Sequence, residues 1–157
     1  MRYALYIMMI FLLSLLLFTK DKAVSGNASA SMSVTTEVRS FVSKELIRQA
    51  LEVNVTEADA RKGYVDVAGG TVIRITTNSG RGYTLSFNND STAFGEIWVI
   101  DGERTTVITG PVGLIHQGAK TDETTDVTKE LSYRFFLAGH TGPGSYPWPL
   151  TLDVMVL

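Results

Sequence analysis

The side chains able to act as general base, nucleophile or metal ligand are few and scattered. His116 and His140 are the only imidazoles. A hydrolase needs a nucleophile within hydrogen-bond reach of such a base. Ser145 follows His140 closely, but Tyr146-Pro147 come directly after it, so the stretch is not a Gly-x-Ser-x-Gly elbow. Both histidines sit in Gly-rich segments between strand patterns and read as ordinary loop residues. Asp122, Glu123 and Asp126 make an acidic loop whose spacing is not that of a calcium-binding loop, and it reads as a solvated segment. No two carboxylates stand out as a glycosidase pair. Gly80-Arg81-Gly82 and the Gly110 to Gly113 stretch look superficially like phosphate loops, but neither leads into a helix pattern that would present its N-terminus to an anion. The chain has no cysteine, which excludes disulfides, thiol catalysis and Cys-ligated metals. The expectation is a non-enzymatic protein with no metal and no cofactor.

Aromatic residues offer a different chemistry, stacking against a ligand. Tyr83, Tyr133 and Phe135 follow the apolar face of their strand patterns and read as core. Trp98, Phe136 and Trp148 have an ambiguous facing, so these three form the candidate exposed patch. They carry the alternative reading, an extracellular module that binds carbohydrate or another ligand.

Compartment follows from the beginning of the sequence. Arg2 precedes an apolar run from Ala4 to Phe18, a polar stretch follows, and Ala28-Ser29-Ala30 has the small-x-small form of a cleavage site. The run falls short of the ~20 residues needed to span a bilayer. Residues 1–30 therefore read as a secretory signal peptide, with no membrane span after its removal, and residues 31–157 as a single domain. The expected location is secreted, periplasmic or cell surface. Three of the 14 basic and one of the 16 acidic residues lie in the leader, so the formal charge moves from −2 to −4 on cleavage. That acidic balance disfavours nucleic acid as a partner.

The remainder is patterned for strands. Met32, Val34, Thr36 and Val38 alternate with polar residues, which predicts a half-buried strand over 31–39. Lys44 to Gln49 reads as a loop or short helical turn, and Leu51, Val53 and Val55 as a second strand. Thr56 to Gly63 is the one helical fragment, a short turn near 57–62 with a capping Thr, acids first, bases last and a terminating Gly. Tyr64 to Val67 is a short strand ended by a Gly69-Gly70 turn. The stretches 71–77 and 83–88, split by Asn78-Ser79-Gly80-Arg81-Gly82, read as a hairpin. Gly95 to Ile100 and Thr105 to Ile108 flank an Asp101-Gly102 turn. Leu114 to Gln117 is a short edge, Thr128 to Ala138 a long alternating strand, and Leu150, Leu152, Val154 and Val156 line one face of a last strand. Short strands at this turn spacing predict an all-β, immunoglobulin-like antiparallel sandwich.

Gly142-Pro143-Gly144-Ser145-Tyr146, followed by the alternation Leu150, Thr151, Leu152, Asp153, Val154, resembles the C-terminal signature of the spore coat U family, the pilin-like subunits of archaic chaperone–usher systems. Leu131-Ser132-Tyr133-Arg134-Phe135 is similar to that family's penultimate strand. The resemblance covers the last third of the chain. It implies an immunoglobulin-like fold lacking its final strand, which a periplasmic chaperone and then the N-terminal extension of a like subunit would supply. By that analogy Met32, Val34, Thr36 and Val38 are alternating plugs of a donor strand, and Val154 and Val156 flank the acceptor groove. The same N-terminal pattern also fits the domain's own edge strand. The expected function is a secreted structural subunit of a surface fibre or coat, assembling by β-strand addition.

Overall fold

The computed structural model describes residues 33, 35–118 and 124–157. The expected signal helix at 1–30, together with Met32, Val34, Asp122 and Glu123, lies outside the described residues. Val38 to Leu157 form one compact unit. It is all-β, as the turn spacing predicts: ten strands, paired antiparallel, and one short helix among the described residues.

In chain order the strands are β1 (Val42–Gln49), β2 (Glu52–Val55), β3 (Tyr64–Thr77), β4 (Tyr83–Asn89), β5 (Phe94–Asp101), β6 (Arg104–Ile108), β7 (Val112–Gln117), β8 (Thr125–Leu137), β9 (Gly144–Pro147) and β10 (Leu150–Val156). Helix α1 (Glu57–Lys62) lies between β2 and β3. They build a five-stranded sheet ordered β1-β3-β8-β5-β6, a three-stranded sheet ordered β10-β4-β7 and a small β2-β9 ribbon, in a sandwich-like arrangement. The core lies between the two larger sheets: Ile73 and Ile75 of β3, Leu131, Tyr133 and Phe135 of β8 and Ile97 and Val99 of β5 meet Leu85 and Phe87 of β4 and Leu150 and Leu152 of β10. Each of these stretches alternates with period two, which puts one set of side chains inside.

Helix α1 forms as its sequence predicts. The Thr56 hydroxyl accepts from the Asp59 N–H, the Asp59 carboxylate accepts from the Thr56 N–H, and Gly63 ends the helix at φ 81. It buries no residue fully and lends the core only the partly buried Ala60, so it serves mainly to connect strands.

Four expectations are corrected. Lys44 to Gln49 is strand β1, hydrogen-bonded along β3, with the register broken at Ile47 by a bulge. Residues 35–40 form no strand, and Thr36 and Val38 are exposed, so the part of the 31–39 strand that is described is unpaired. Gly69-Gly70 is a bulge inside one long strand, where Ala68 to Gly70 stand opposite Ser132 and the Ser132 hydroxyl accepts from the Gly69 N–H. The 71–77 and 83–88 stretches are strands but not a hairpin: β3 pairs with β1 and β8, whereas β4 pairs with β10 and β7. The segment between them crosses from one sheet to the other and is held by buried Ser79, whose hydroxyl donates to the Leu157 carbonyl.

Candidate functional site

Neither side of the sandwich is closed by strand pairing among the described residues. On one side β6 and β7 lie against each other without pairing, and Gly113 makes this approach possible: a Cβ at that position would overlap the Ile108 side chain. On the other side β1 and β10 approach but do not pair. Between them is a cleft of about 460 Å³ lined by Lys44, Leu46 and Gln49 of β1, Trp148, and Leu150 and Leu152 of β10. Lys44 and Leu46 stand opposite buried Ile75 and Ile73, so they belong to the core face of β1, yet Leu46 is 48 % exposed. The core is therefore open along this seam among the described residues.

The β10 edge facing the cleft has no strand beside it among the described residues. Its Leu150 and Leu152 carbonyls point away from β4, because they accept from side chains of β1. Gln49 Nε2 donates to the Leu150 carbonyl at 3.0 Å and Lys44 Nζ to the Leu152 carbonyl at 2.5 Å. Lys44 is also paired with the Asp153 carboxylate at 2.5 Å. In an antiparallel strand alternate residues turn both backbone groups to the same side, so the N–H groups of Leu152, Val154 and Val156 also face the cleft side. Val154 is half-buried against the core and Val156 is exposed, beyond the cleft lining.

The opposing edge is less regular. β1 carries Lys44, Glu45 and Arg48 and is bulged at Ile47, features that blunt a sheet edge against pairing. β10 runs from Leu150 to Val156 without a bulge against β4. Of the two edges at the cleft, β10 is the regular one.

The chain before β1 reaches the sandwich at the Val156 end of this seam. Asn78 fastens it there: its Oδ1 accepts from the Phe41 N–H at 2.6 Å, and its Nδ2 donates to the Arg39 carbonyl at 3.0 Å. The neighbouring Ser79 binds the Leu157 carbonyl, so Phe41 and Leu157 are secured at the same corner.

The expected aromatic patch divides. Trp98 and Phe136 lie on the outer face of the five-stranded sheet with ring centres 5.1 Å apart, and Tyr64, the first residue of β3, joins Phe136 at 5.8 Å. Arg134 lies over the Tyr64 and Trp98 rings and binds the Asp66 carboxylate with two nitrogens. Cross-strand register brings these together: Tyr64 opposes Phe136, and Asp66 opposes Arg134, which opposes Trp98. Trp148 is not among them. It packs edge-on against Tyr133 and Phe135 inside the sandwich, over Gly70, where a Cβ would come within 2.7 Å of its ring. A tryptophan reaching the core from the β9–β10 link belongs to the cleft, and its buried Nε1 has no hydrogen-bond partner among the described residues.

The residues considered for catalysis are spread out. His116 Nδ1 shares a 2.8 Å hydrogen bond with the Thr84 hydroxyl on the three-stranded sheet, and His140 is exposed in the turn after β8. Ser145 donates to Glu52 at 2.6 Å across β2 and β9. Asp126 faces Arg74 on the outer surface at 4.0 Å. Among the described residues no three His, Asp or Glu side chains gather into a metal site. No helix among them is long and apolar enough to cross a membrane.

Searches of family models, of characterised proteins and of solved structures return no match to this chain.

Proposed function

We propose that this protein is a structural subunit that assembles by β-strand addition, with the seam between β1 and β10 as acceptor and residues 31–39 of another copy as donor. The observation that carries this reading is the β10 edge: an unbulged strand, open along a gap in the core, with no strand beside it among the described residues. A strand laid there would bond to the backbone groups of β10 and place alternate side chains into the gap. Met32, Val34, Thr36 and Val38 have the required period, and nine extended residues span roughly 30 Å, more than the length of β10. The resemblance of the C-terminal stretch to spore coat U subunits points to the same mode of assembly. A signal peptide at 1–30 would deliver the subunit to the periplasm or cell surface, where a chaperone would cover the seam before assembly.

The test is deletion of Ser31–Val38. The shortened chain should keep the strand signature in circular dichroism and remain monomeric in sedimentation, while the full chain forms polymers. Loss of the folded monomer would show instead that this segment is the domain's own edge strand.

A further inference from the structure

Lys44 and Gln49 occupy the positions that an added strand needs. Both sit on the core face of β1 and reach across the seam to β10, and each donates to a backbone carbonyl that an incoming N–H would otherwise take. The two acceptors, Leu150 and Leu152, are alternate residues, which is the spacing at which a neighbouring antiparallel strand donates. Lys44 has a second hold, the Asp153 carboxylate on the same strand, so its ammonium is fixed over the edge by a charge-assisted pair. The side-chain groups thus reproduce part of the hydrogen-bond ladder of a missing strand, at the half of β10 where Leu150 and Leu152 are buried. Toward Val154 and Val156 no β1 side chain hydrogen-bonds to the edge among the described residues, and Val42, on the same face of β1, packs against the core.

We infer that Lys44 and Gln49 form a displaceable latch on the acceptor edge, which keeps the free subunit closed to casual strand pairing and sets the rate at which a donor strand is captured. This rests on the strand-addition reading above and adds its control. Capture begins at the Val154–Val156 end, whose backbone groups carry no such side-chain bond from β1, and the strand completes its pairing only when the Lys44 ammonium leaves the Leu152 carbonyl and Asp153. Salt that screens the Lys44–Asp153 pair loosens the latch.

The test uses the purified full chain and a fluorescent peptide of residues 31–39, with capture followed by anisotropy. Lys44→Met keeps the length of the side chain and removes its donors. It should capture the peptide at least about tenfold faster than the native chain, since hydrogen bonds to charged groups contribute more than a factor of ten. Capture by the native chain should accelerate with added salt and capture by Lys44→Met should not. Asp153→Asn, which leaves the Leu152 contact and removes the counter-charge, should fall between them, and it serves if Lys44→Met does not fold. Equal rates in native and variant chains, with capture measurable in both, would overturn the latch and leave strand addition standing. Slower capture by the variants would also overturn it, because Lys44 would then hold the incoming strand. Capture by none of the proteins would overturn both the latch and the assembly reading.

Discussion

Tyr133 shows how much one side chain is asked to do in this core. Its ring meets Phe135 and Trp148, and its hydroxyl donates to Thr71 at 2.8 Å, with both residues almost fully buried. Tyr133→Phe leaves the Thr71 hydroxyl without its donor, and should cost roughly 1–3 kcal/mol in denaturant unfolding. Burial also pushes the Tyr133 phenol up to about 12, and burial with the nearby Asp101 charge does the same for Tyr83. Both would titrate near 10.0 in the unfolded chain. Below that pH both states keep the proton and the full stability is present; between 10 and 12 only the unfolded state gives it up, so stability falls as pH rises. Unfolding midpoints measured across that range should decline, and less steeply in Tyr133→Phe. The role of Tyr133 in the core was legible from its place in the alternation of Leu131 to Phe135. The contribution of Gly70, which lets Trp148 reach the ring, was not, because it depends on a residue far along the chain.

Elements set by their own residues were the legible ones. Helix α1 needs only Thr56, Asp59 and Gly63, all within one short stretch, and it forms where expected. Its acid sensitivity is equally local. Hydrogen bonds from Lys62 and then Thr56 draw the Asp59 carboxyl down from 3.8 to about 2. A depressed carboxylate supports the cap above its unfolded value and loses that support as pH falls toward 2. Amide exchange in Glu57–Lys62 should therefore rise between those values, while core amides such as Ile73 keep their protection. Strand β1 was illegible for the opposite reason. Lys44, Glu45, Leu46 and Gln49 are good helix formers, and the extra residue Ile47 breaks the period, so strand geometry is imposed by β3 across the ladder. The supposed hairpin failed similarly. Alternation marked β3 and β4 as strands, but β3 is sandwiched between β1 and β8, which leaves β4 to seek the other sheet. Local pattern decides that a segment is a strand, while partner choice is settled by the whole set of competing edges.

For the whole molecule, the deletion of Ser31–Val38 is the decisive measurement, since monomer, polymer and unfolded chain are distinct outcomes. Half of the seam was legible: Leu150, Leu152, Val154 and Val156 follow from alternation alone. Lys44 and Gln49 were hidden, because their partners on β10 are 108 and 101 residues away and no spacing rule links them. The opposite seam, where Gly113 lets β7 settle against Ile108, has a mechanical consequence. The sheet β10-β4-β7 runs as a plate from the β6–β7 side to the β1–β10 side. It is hinged like a book cover, with Gly113 in the spine and β10 at the fore-edge. A methyl group added by Gly113→Ala wedges the spine apart, at a cost of about 1–3 kcal/mol, and tilts the free margin of the plate. Exchange of the Leu152 amide should shift in that variant, and Ile108→Ala in the same chain should restore it. A response confined to the residues around Gly113 would mean that the plate bends. In a rigid plate, the width of the opening is governed from the opposite side of the sandwich.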